Sequence, residues 1–300
     1  MLLLVAGCAD PIEFEPLTAD PADTPMMGAY VPSGVWNDLG ALRALEADVG
    51  RPFDVAHWFT SWDHAYDPVP VNDLLDGGRI PLVSWQPHHQ GVAAIAAGEH
   101  DAYVREWARG VATAPGLVYV RPFPEMNGDW VPWNGDPTAF RAAWRRVAEI
   151  FAHEGADNVR WVFGPNVTDE PRTEANRLEH YYPGDDVVDL LALSGYNWGD
   201  TKPDIGWRSF EEVFRSGYDR LTALGDQDIW LAEIASAEDG GDKSAWVREM
   251  FQTTRFPAIG AIVWFDEDKE ADWRLRSRPE VTQAFREALG TAPQVAVSSP

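Results

Sequence analysis

The feature of this chain that most limits its fold is a regular alternation of short apolar runs with amphipathic stretches, from Met26 to about Leu289. Most of the apolar runs contain few polar residues, as expected of strands that are buried on both faces. In the stretches between them, apolar residues recur every three or four positions, which is typical of helices. The eight predicted strands are residues 27–31, 54–59, 80–85, 118–123, 159–163, 190–194, 229–232 and 261–265.

Eight such units predict an α/β fold of the (β/α)8 TIM-barrel type, formed by a single domain over residues 26–290. An open doubly wound sheet is the less suitable alternative, because it usually has fewer strands and carries a glycine-rich dinucleotide turn. Neither GxGxxG nor GxxxxGK[ST] occurs in the sequence.

The two ends of the chain differ from this pattern. The first eight residues, MLLLVAGC, resemble a bacterial lipobox without its charged start, and they predict a truncated lipoprotein-type signal with Cys8 as the lipidated residue. Residues 1–25 would then be signal and acidic, proline-rich tether, although a disordered acidic tail is the alternative. Residues 291–300 are predicted to be disordered. The expected location is extracytoplasmic, either secreted or lipid-anchored at the bacterial cell surface.

The charge of the chain restricts its partners. The sequence has 24 basic and 48 acidic residues, a formal net charge of −24, which repels nucleic acid and anionic glycans. A membrane contact is expected only through a lipid on Cys8. One cysteine cannot form an internal disulfide framework or a thiolate zinc site. We expect a monomer without metal or cofactor. The 15 tryptophans suit either a packed core or a surface that stacks on sugars.

Two glutamates follow predicted strands on opposite sides of the barrel mouth, where active sites of such barrels lie. Glu125 follows the fourth strand and Glu233 the seventh. Burying a carboxylate there is unfavourable unless it has a partner or a function. A pair suits retaining glycoside hydrolysis, in which one carboxyl protonates the leaving oxygen and the other attacks, about 5–5.5 Å away. The structural alternative is that Glu125 forms an ion pair with Arg121.

The segment 121–133, RPFPEMNGDWVPW, resembles the acid/base segment of glycoside hydrolase family 26, a β-mannanase-like family of clan A retaining β-glycanases. The segments 95–103, 194–199 and 230–235 are similar to other motifs of that family. The resemblance implies that Glu125 is the general acid/base of the catalytic domain and that Glu233 is the nucleophile. Tyr196 would then hydrogen-bond to the nucleophile.

The substrate-binding residues are expected at the strand ends and in the matching motifs. Trp130 and Trp264 would pack against the sugars beside the cleaved bond, whereas Asn127 and Arg121 would hold the catalytic carboxyls in place. The residues assigned to substrate binding in this way are Trp58, Trp85, His88, Arg121, Asn127, Trp130, Trp198 and Trp264.

One position departs from the family pattern. Pro124 stands immediately before Glu125, where the family usually has histidine. Proline has no side-chain donor, so His57, His88 and His89 are candidates to compensate. The change weakens the inference of mannan specificity, because residues beside the reacting sugar distinguish epimers.

The sequence therefore predicts a retaining endo-β-glycanase that hydrolyses a neutral β-linked polysaccharide or oligosaccharide by double displacement. The first substrate expected is β-1,4-mannan, with β-1,3-1,4-glucan and β-1,3-xylan as alternatives. A non-catalytic carbohydrate-binding lipoprotein is an alternative of another class. A metal-dependent hydrolase is suggested by residues 266–268 and the His88–His89 pair, but no HExxH or EF-hand spacing supports it.

Overall fold

Eight strands close into a barrel in which every strand pairs in parallel with its neighbours in the chain, and β1 pairs with β8. The computed structural model describes residues 25–291. The predicted TIM barrel is confirmed, although β6 and β7 extend three or four residues beyond their predicted ends. The strands are β1 Met26–Tyr30, β2 Val55–Ser61, β3 Ile80–Gln86, β4 Val118–Pro122, β5 Val159–Phe163, β6 Leu190–Asn197, β7 Ile229–Ser236 and β8 Ile259–Phe265.

Amphipathic helices connect the strands and cover the outside of the barrel. Several begin at a side chain that accepts a free backbone N–H: Asp136 accepts from Ala139 at 2.9 Å, and Ser209 forms a capping box with Glu212. None of the described helices has the length and apolarity needed to cross a bilayer. The helices are α1 Gly40–Val49, α2 Pro68–Asp76, α3 Val92–Ala97, α4 Asp101–Val111, α5 Pro137–His153, α6 Leu178–Tyr181, α7 Phe210–Leu221, α8 Lys243–Gln252 and α9 Pro279–Thr291, with short 3-10 turns at Glu174–Asn176 and Asp185–Val187.

Alternate residues of each strand point into the barrel, because side chains along a strand alternate between its two faces. Tyr119 and Trp230 stack inside with ring centroids 4.7 Å apart. All eight strands contribute to this interior cluster: Met26, Val55, Ile80, Leu82, Tyr119, Val162, Leu190, Ala192, Trp230, Ala232, Ala261 and Val263. Continuing the same alternation to the carboxyl ends of the strands therefore identifies the residues that face the barrel mouth.

Strand β7 breaks this alternation at one point. Leu231 pairs with Leu193 of β6, but the next β6 residue, Ser194, pairs with Glu233, so Ala232 has no partner on β6. The pairing with β8 shifts in the same interval. Such a bulge places two residues opposite one and re-aims the side chains that follow. As a result, Ala232 lies in the interior cluster and Glu233 also faces inward.

The predictions for the chain ends fall mostly outside the described residues. Residues 1–24 contain the lipobox-like run, Cys8 and most of the tether, and residues 292–300 contain most of the predicted tail. The lipid attachment and the extracytoplasmic location remain predictions.

Candidate active site

A cleft of about 1150 Å³ lies over the carboxyl ends of the strands, and both Glu125 and Glu233 line it. The polar groups around the two carboxyls include Gln86, His88 and Asn166. Aromatic rings from the ends of five strands, or from the loops that follow them, form much of the remaining wall: Tyr30, Phe59, Trp130, Tyr196, Trp198, Phe265 and Trp273. A cleft with many aromatic rings and a few convergent polar groups is suited to a sugar chain.

Glu233, on β7, is held by three donors from β4 and β6. The guanidinium of Arg121 hydrogen-bonds to Oε1, and the Ser194 hydroxyl lies 3.4 Å from the same oxygen. The hydroxyl of Tyr196 donates to Oε2 at 3.0 Å, which is the contact that the family resemblance implied. Burial and the Glu233 charge raise the pKa of Tyr196 well above its ordinary value, so the phenol keeps the proton that it donates. These donors suit an anionic carboxylate that attacks an electrophilic carbon.

Arg121 is fully buried and pairs with Glu233. Its Nη2 also donates to the carbonyl oxygen of Gly164 at 2.9 Å and to Ser194 Oγ at 2.7 Å. A Cβ atom at position 164 would lie 2.2 Å from Arg121 Nε, so glycine is required for this arginine to fit. The expectation that Arg121 holds the carboxyl pair agrees with this geometry, whereas the structural alternative, an ion pair with Glu125, is wrong. Arg121 does not line the cleft, so its assignment to substrate binding is also wrong.

Glu125 lies on a tight turn after β4 and is hydrogen-bonded through both carboxyl oxygens. Asn166 Nδ2 donates to Oε1 at 2.7 Å, and Trp130 Nε1 donates to Oε2 at 2.8 Å. The backbone at Phe123 and Glu125 has φ values of 52° and 56°, in the left-handed region that residues other than glycine rarely adopt. Such conformations are unfavourable and persist where the surrounding structure enforces them, often at functional sites.

The pKa of Glu125 is raised, first by burial and second by the nearby Glu233 charge. Arg121 and the hydrogen bonds from Asn166 and Trp130 oppose this shift in part. One carboxyl with a raised pKa therefore faces one that is surrounded by hydrogen-bond donors. This contrast is the usual arrangement of a general acid and its anionic partner.

The Trp130→Phe substitution tests the assignment of Glu125 as the acid. It removes a donor that stabilises the carboxylate, so the pKa of Glu125 should rise further. If Glu125 is active when protonated, the basic limb of the kcat/KM profile should move to higher pH, by up to about 1 unit for a hydrogen bond of about 0.5–1.5 kcal/mol. An acid limb that moves instead would contradict the assignment. Trp133→Phe is the control, because its Nε1 donates to the Pro124 carbonyl and not to the carboxyl.

Three of the tryptophans assigned to substrate binding are core residues, and those assignments are wrong. Trp58 is 7% exposed, and Trp85 and Trp264 are fully buried. Each occupies the strand position between two inward-facing residues, so its ring points outward to the helix layer. Trp85 stacks on Trp107 of α4 with centroids 4.6 Å apart, and Trp264 meets Phe285 of α9 edge-on at 6.1 Å.

Asn127 is also buried and does not line the cleft, so its assignment to substrate binding is wrong. Its side chain donates to the carbonyl oxygen of Asn166 and to Asp169 Oδ1, both at 2.9 Å, and accepts from the Asn166 N–H at 2.8 Å. Asn166 in turn hydrogen-bonds to Glu125, so Asn127 holds the Glu125 carboxyl in position indirectly, by fixing Asn166. This agrees with the expectation that it positions the acid/base loop.

The remaining predicted binding residues line the cleft. Trp130 is 50% exposed, and His88 is exposed with its ring 5.5 Å from that of Trp133. Lys202 Nζ lies 3.4 Å above the ring of Trp198. Of the three histidines named as candidates to compensate for Pro124, His88 alone lines the cleft in the described part of the chain.

The other two histidines lie elsewhere. His57 is buried with Nε2 2.8 Å from Ser84 Oγ, and burial lowers its pKa well below the ordinary value. His89 lies 3.7 Å from Asp63 at the surface.

Sequence reasoning missed several residues of the site, including Asn166 and Trp273. Tyr30, Phe59 and Phe265 could have been found from strand alternation, since all three share the inward-facing parity. Tyr30 stacks on Phe265 at 4.7 Å, and burial raises the pKa of Tyr30 to about 12. Trp273 lies in the loop after β8, where no periodic signal marks it.

The acidic run after β8 does not converge on one point. Asp266 is buried and accepts from the Leu275 N–H at 2.6 Å, Glu267 lines the cleft, and Asp268 pairs with Arg274 at 3.1 Å. Across residues 25–291, no three acidic, histidine or cysteine side chains are grouped as metal ligands.

Known proteins share both the sequence pattern and the fold. The chain is 36% identical over 277 residues to Endoglucanase H of Acetivibrio thermocellus, covering 88% of this chain and 30% of that protein. It is 32% identical over 164 residues to mannan endo-1,4-beta-mannosidase A and B of Caldalkalibacillus mannanilyticus, covering 50% and 28%. The chain thus spans less than a third of the length of either relative.

The fold is similar to that of the catalytic domain of the GH26 endo-beta-1,4-mannanase of Bacillus sp. JAMB-750. The TM-score is 0.68 at 17% identity, over 89% of this chain and 86% of that one. The family model for glycosyl hydrolase family 26 matches residues 102–277, which include both Glu125 and Glu233. The chain belongs to glycosyl hydrolase family 26.

Proposed function

We propose that this protein is a retaining endo-β-glycanase that acts on a neutral β-linked polysaccharide. The observation that carries the proposal is the contrast between the two carboxyls of one aromatic cleft. The pKa of Glu125 is raised, while Glu233 is surrounded by donors from Arg121, Ser194 and Tyr196.

The geometry supports a reaction in two steps. In the first, Glu125 gives its proton to the glycosidic oxygen while a Glu233 oxygen attacks the anomeric carbon, which breaks the glycosidic bond and forms a glycosyl ester. In the second, the Glu125 carboxylate takes a proton from a water molecule. The oxygen of that water displaces Glu233 from the anomeric carbon, and both carboxyls return to their starting states. Two inversions give net retention.

The choice of polysaccharide rests on the relatives and on Pro124. The mannanase relative matches half of this chain, whereas Endoglucanase H matches 88% of it at higher identity. Pro124 lines the cleft beside the acid, where the family usually has histidine, so mannan recognition lacks one expected donor. We therefore place β-linked glucan, including β-1,3-1,4-glucan, ahead of β-1,4-mannan and β-1,3-xylan.

The test is release of reducing sugar by the purified protein from barley mixed-linkage glucan, mannan, β-1,3-xylan and carboxymethylcellulose. We expect the highest kcat/KM on mixed-linkage glucan, and proton NMR should show the β-anomer of the product first. Glu233→Ala is the control for contaminating activity. An initial α-anomer would refute retention, and binding of glycans without cleavage would favour the carbohydrate-binding alternative.

A further inference from the structure

A second groove of about 890 Å³ adjoins the cleft on the outer side of the loop between β6 and α7. Ile205 and Arg208 line both the groove and the cleft. Ile205 is 42% exposed, so an apolar ridge connects the two cavities. From this ridge the groove runs along the outer face of α7, past Ser216 and Ala223. A chain that leaves the cleft over Ile205 therefore enters the groove.

Trp207 lines the groove beside this ridge, and Gly241 packs against its indole ring. A Cβ atom at Gly241 would lie 2.3 Å from Cδ2 and 2.4 Å from Cε2 of the indole. These two atoms form the bond shared by both rings, so a point close to both lies over the ring face and not at an edge. One face of Trp207 thus rests on the Gly241 backbone. The side chain packs against the core in part, is partly exposed and lines the groove, so we assign its exposed part to the face opposite Gly241.

The charges of the groove suit a neutral ligand. Four arginines and three acidic residues line it, although the whole chain has a net charge of −24. The arginines already have acidic or carbonyl partners: Arg220 lies 2.7 Å from Glu179, Arg177 lies 3.2 Å from it, and Arg215 pairs with Glu211. Arg208 donates to the carbonyl oxygen of Glu212. Paired arginines attract anions weakly, but they retain N–H groups that can hydrogen-bond to hydroxyls.

We propose that this groove is an outlying binding site for the same neutral polysaccharide, with Trp207 as its stacking platform, reached over Ile205 from the cleft. The inference rests on the proposed function, because its occupant is the part of the substrate chain that extends beyond the cleft. Its consequence is that long chains bind more tightly than short ones without any change in the chemical step.

Two variants test the groove. Trp207→Ala removes the platform, and Ser216→Trp fills the groove from an exposed position of α7. We expect either variant to raise KM for the cleaved polymer by about three- to tenfold, equivalent to about 0.7–1.4 kcal/mol, as for loss of one aromatic contact, with kcat unchanged. For a chromogenic aryl trisaccharide of the same backbone, kcat and KM should remain those of the wild type. Ala44→Trp, on the exposed face of α1, is the control for added bulk.

Three results would overturn the inference. Equal effects on polymer and trisaccharide would show that Trp207 acts on the cleft itself, and no effect of Ser216→Trp on the polymer would show that the groove is unused. A change in elution volume on size exclusion without a change in KM would assign the groove to a second copy of the chain. Failure of the proposed function is distinguishable, since the wild type itself would then cleave no polymer, and the inference would fall with it.

Discussion

Alanine at Glu233 and alanine at Glu125 should both nearly abolish polysaccharide cleavage, but azide should restore activity with opposite stereochemistry. Loss of the acid/base should lower kcat by about 10²–10⁴, and loss of the nucleophile by on the order of 10⁴ or more. In Glu233→Ala, azide can occupy the space of the lost carboxylate and attack the substrate directly, which gives the α-azide. In Glu125→Ala the glycosyl ester still forms from a dinitrophenyl glycoside, whose leaving group departs without a proton, and azide then displaces Glu233 to give the β-azide. NMR of the products distinguishes the two.

Glu267→Gln is the matched comparison, because Glu267 is a third carboxyl that lines the cleft. Glu267 takes no part in the two-step reaction. The kcat of the Glu267→Gln variant should therefore fall far less, and azide should give no glycosyl azide. An α-azide from the Glu125 variant would reverse the two assignments. Rescue of neither variant, with both folded, would argue against a covalent intermediate.

Arg121→Met should destabilise the fold and the reaction together. Removing one partner of a buried ion pair leaves an unpaired charge, here the Glu233 carboxylate, and typically lowers the free energy of unfolding by about 3–5 kcal/mol. The nucleophile also loses the group that fixes its position, so kcat should fall by on the order of 10². Urea denaturation and initial rates measure the two effects separately. The double variant Arg121→Met/Glu233→Gln should recover much of the stability while remaining inactive, because neither charge is then left unpaired.

Arg79→Met is the control for this pair. Arg79 and Glu46 form another buried ion pair, with Nη2 2.7 Å from Oε2, in the layer between α1 and the barrel. Its loss should lower the free energy of unfolding to a similar extent and leave kcat of the folded protein unchanged. If Arg79→Met lowers kcat as much as Arg121→Met, the effect on the reaction is a general consequence of instability.

The two carboxyls were predictable because each follows an apolar strand run, and a charge in such a run indicates a function. By contrast, proximity to a strand end alone did not predict which tryptophans line the cleft and which lie in the core. Trp85 and Phe265 both lie within one residue of the end of their strands, but Trp85 faces the helices and Phe265 faces the cleft. Applying the two-residue period of a strand would have excluded Trp58, Trp85 and Trp264.

Other parts of the site have no local sequence signal. The hydrogen bond from Asn166 to Glu125 joins residues 41 positions apart, and its geometry depends on the Asn127 side chain beneath the loop. Similarly, Trp273 reaches the cleft from an irregular loop. These contacts arise from the way separate loops pack together, which periodicity does not encode.

The skipped residue in β7 has a consequence for how the reactive centre is specified. By strict odd–even counting from Trp230, position 233 belongs to the helix-facing side of the strand, and only the bulge at Ala232 brings the carboxylate to Arg121. The nucleophile is therefore defined by the pairing register of its strand as much as by its side chain. The same sequence paired with β6 in regular register, with Ala232 taking a partner of its own, would carry its glutamate on the helix-facing side of the barrel.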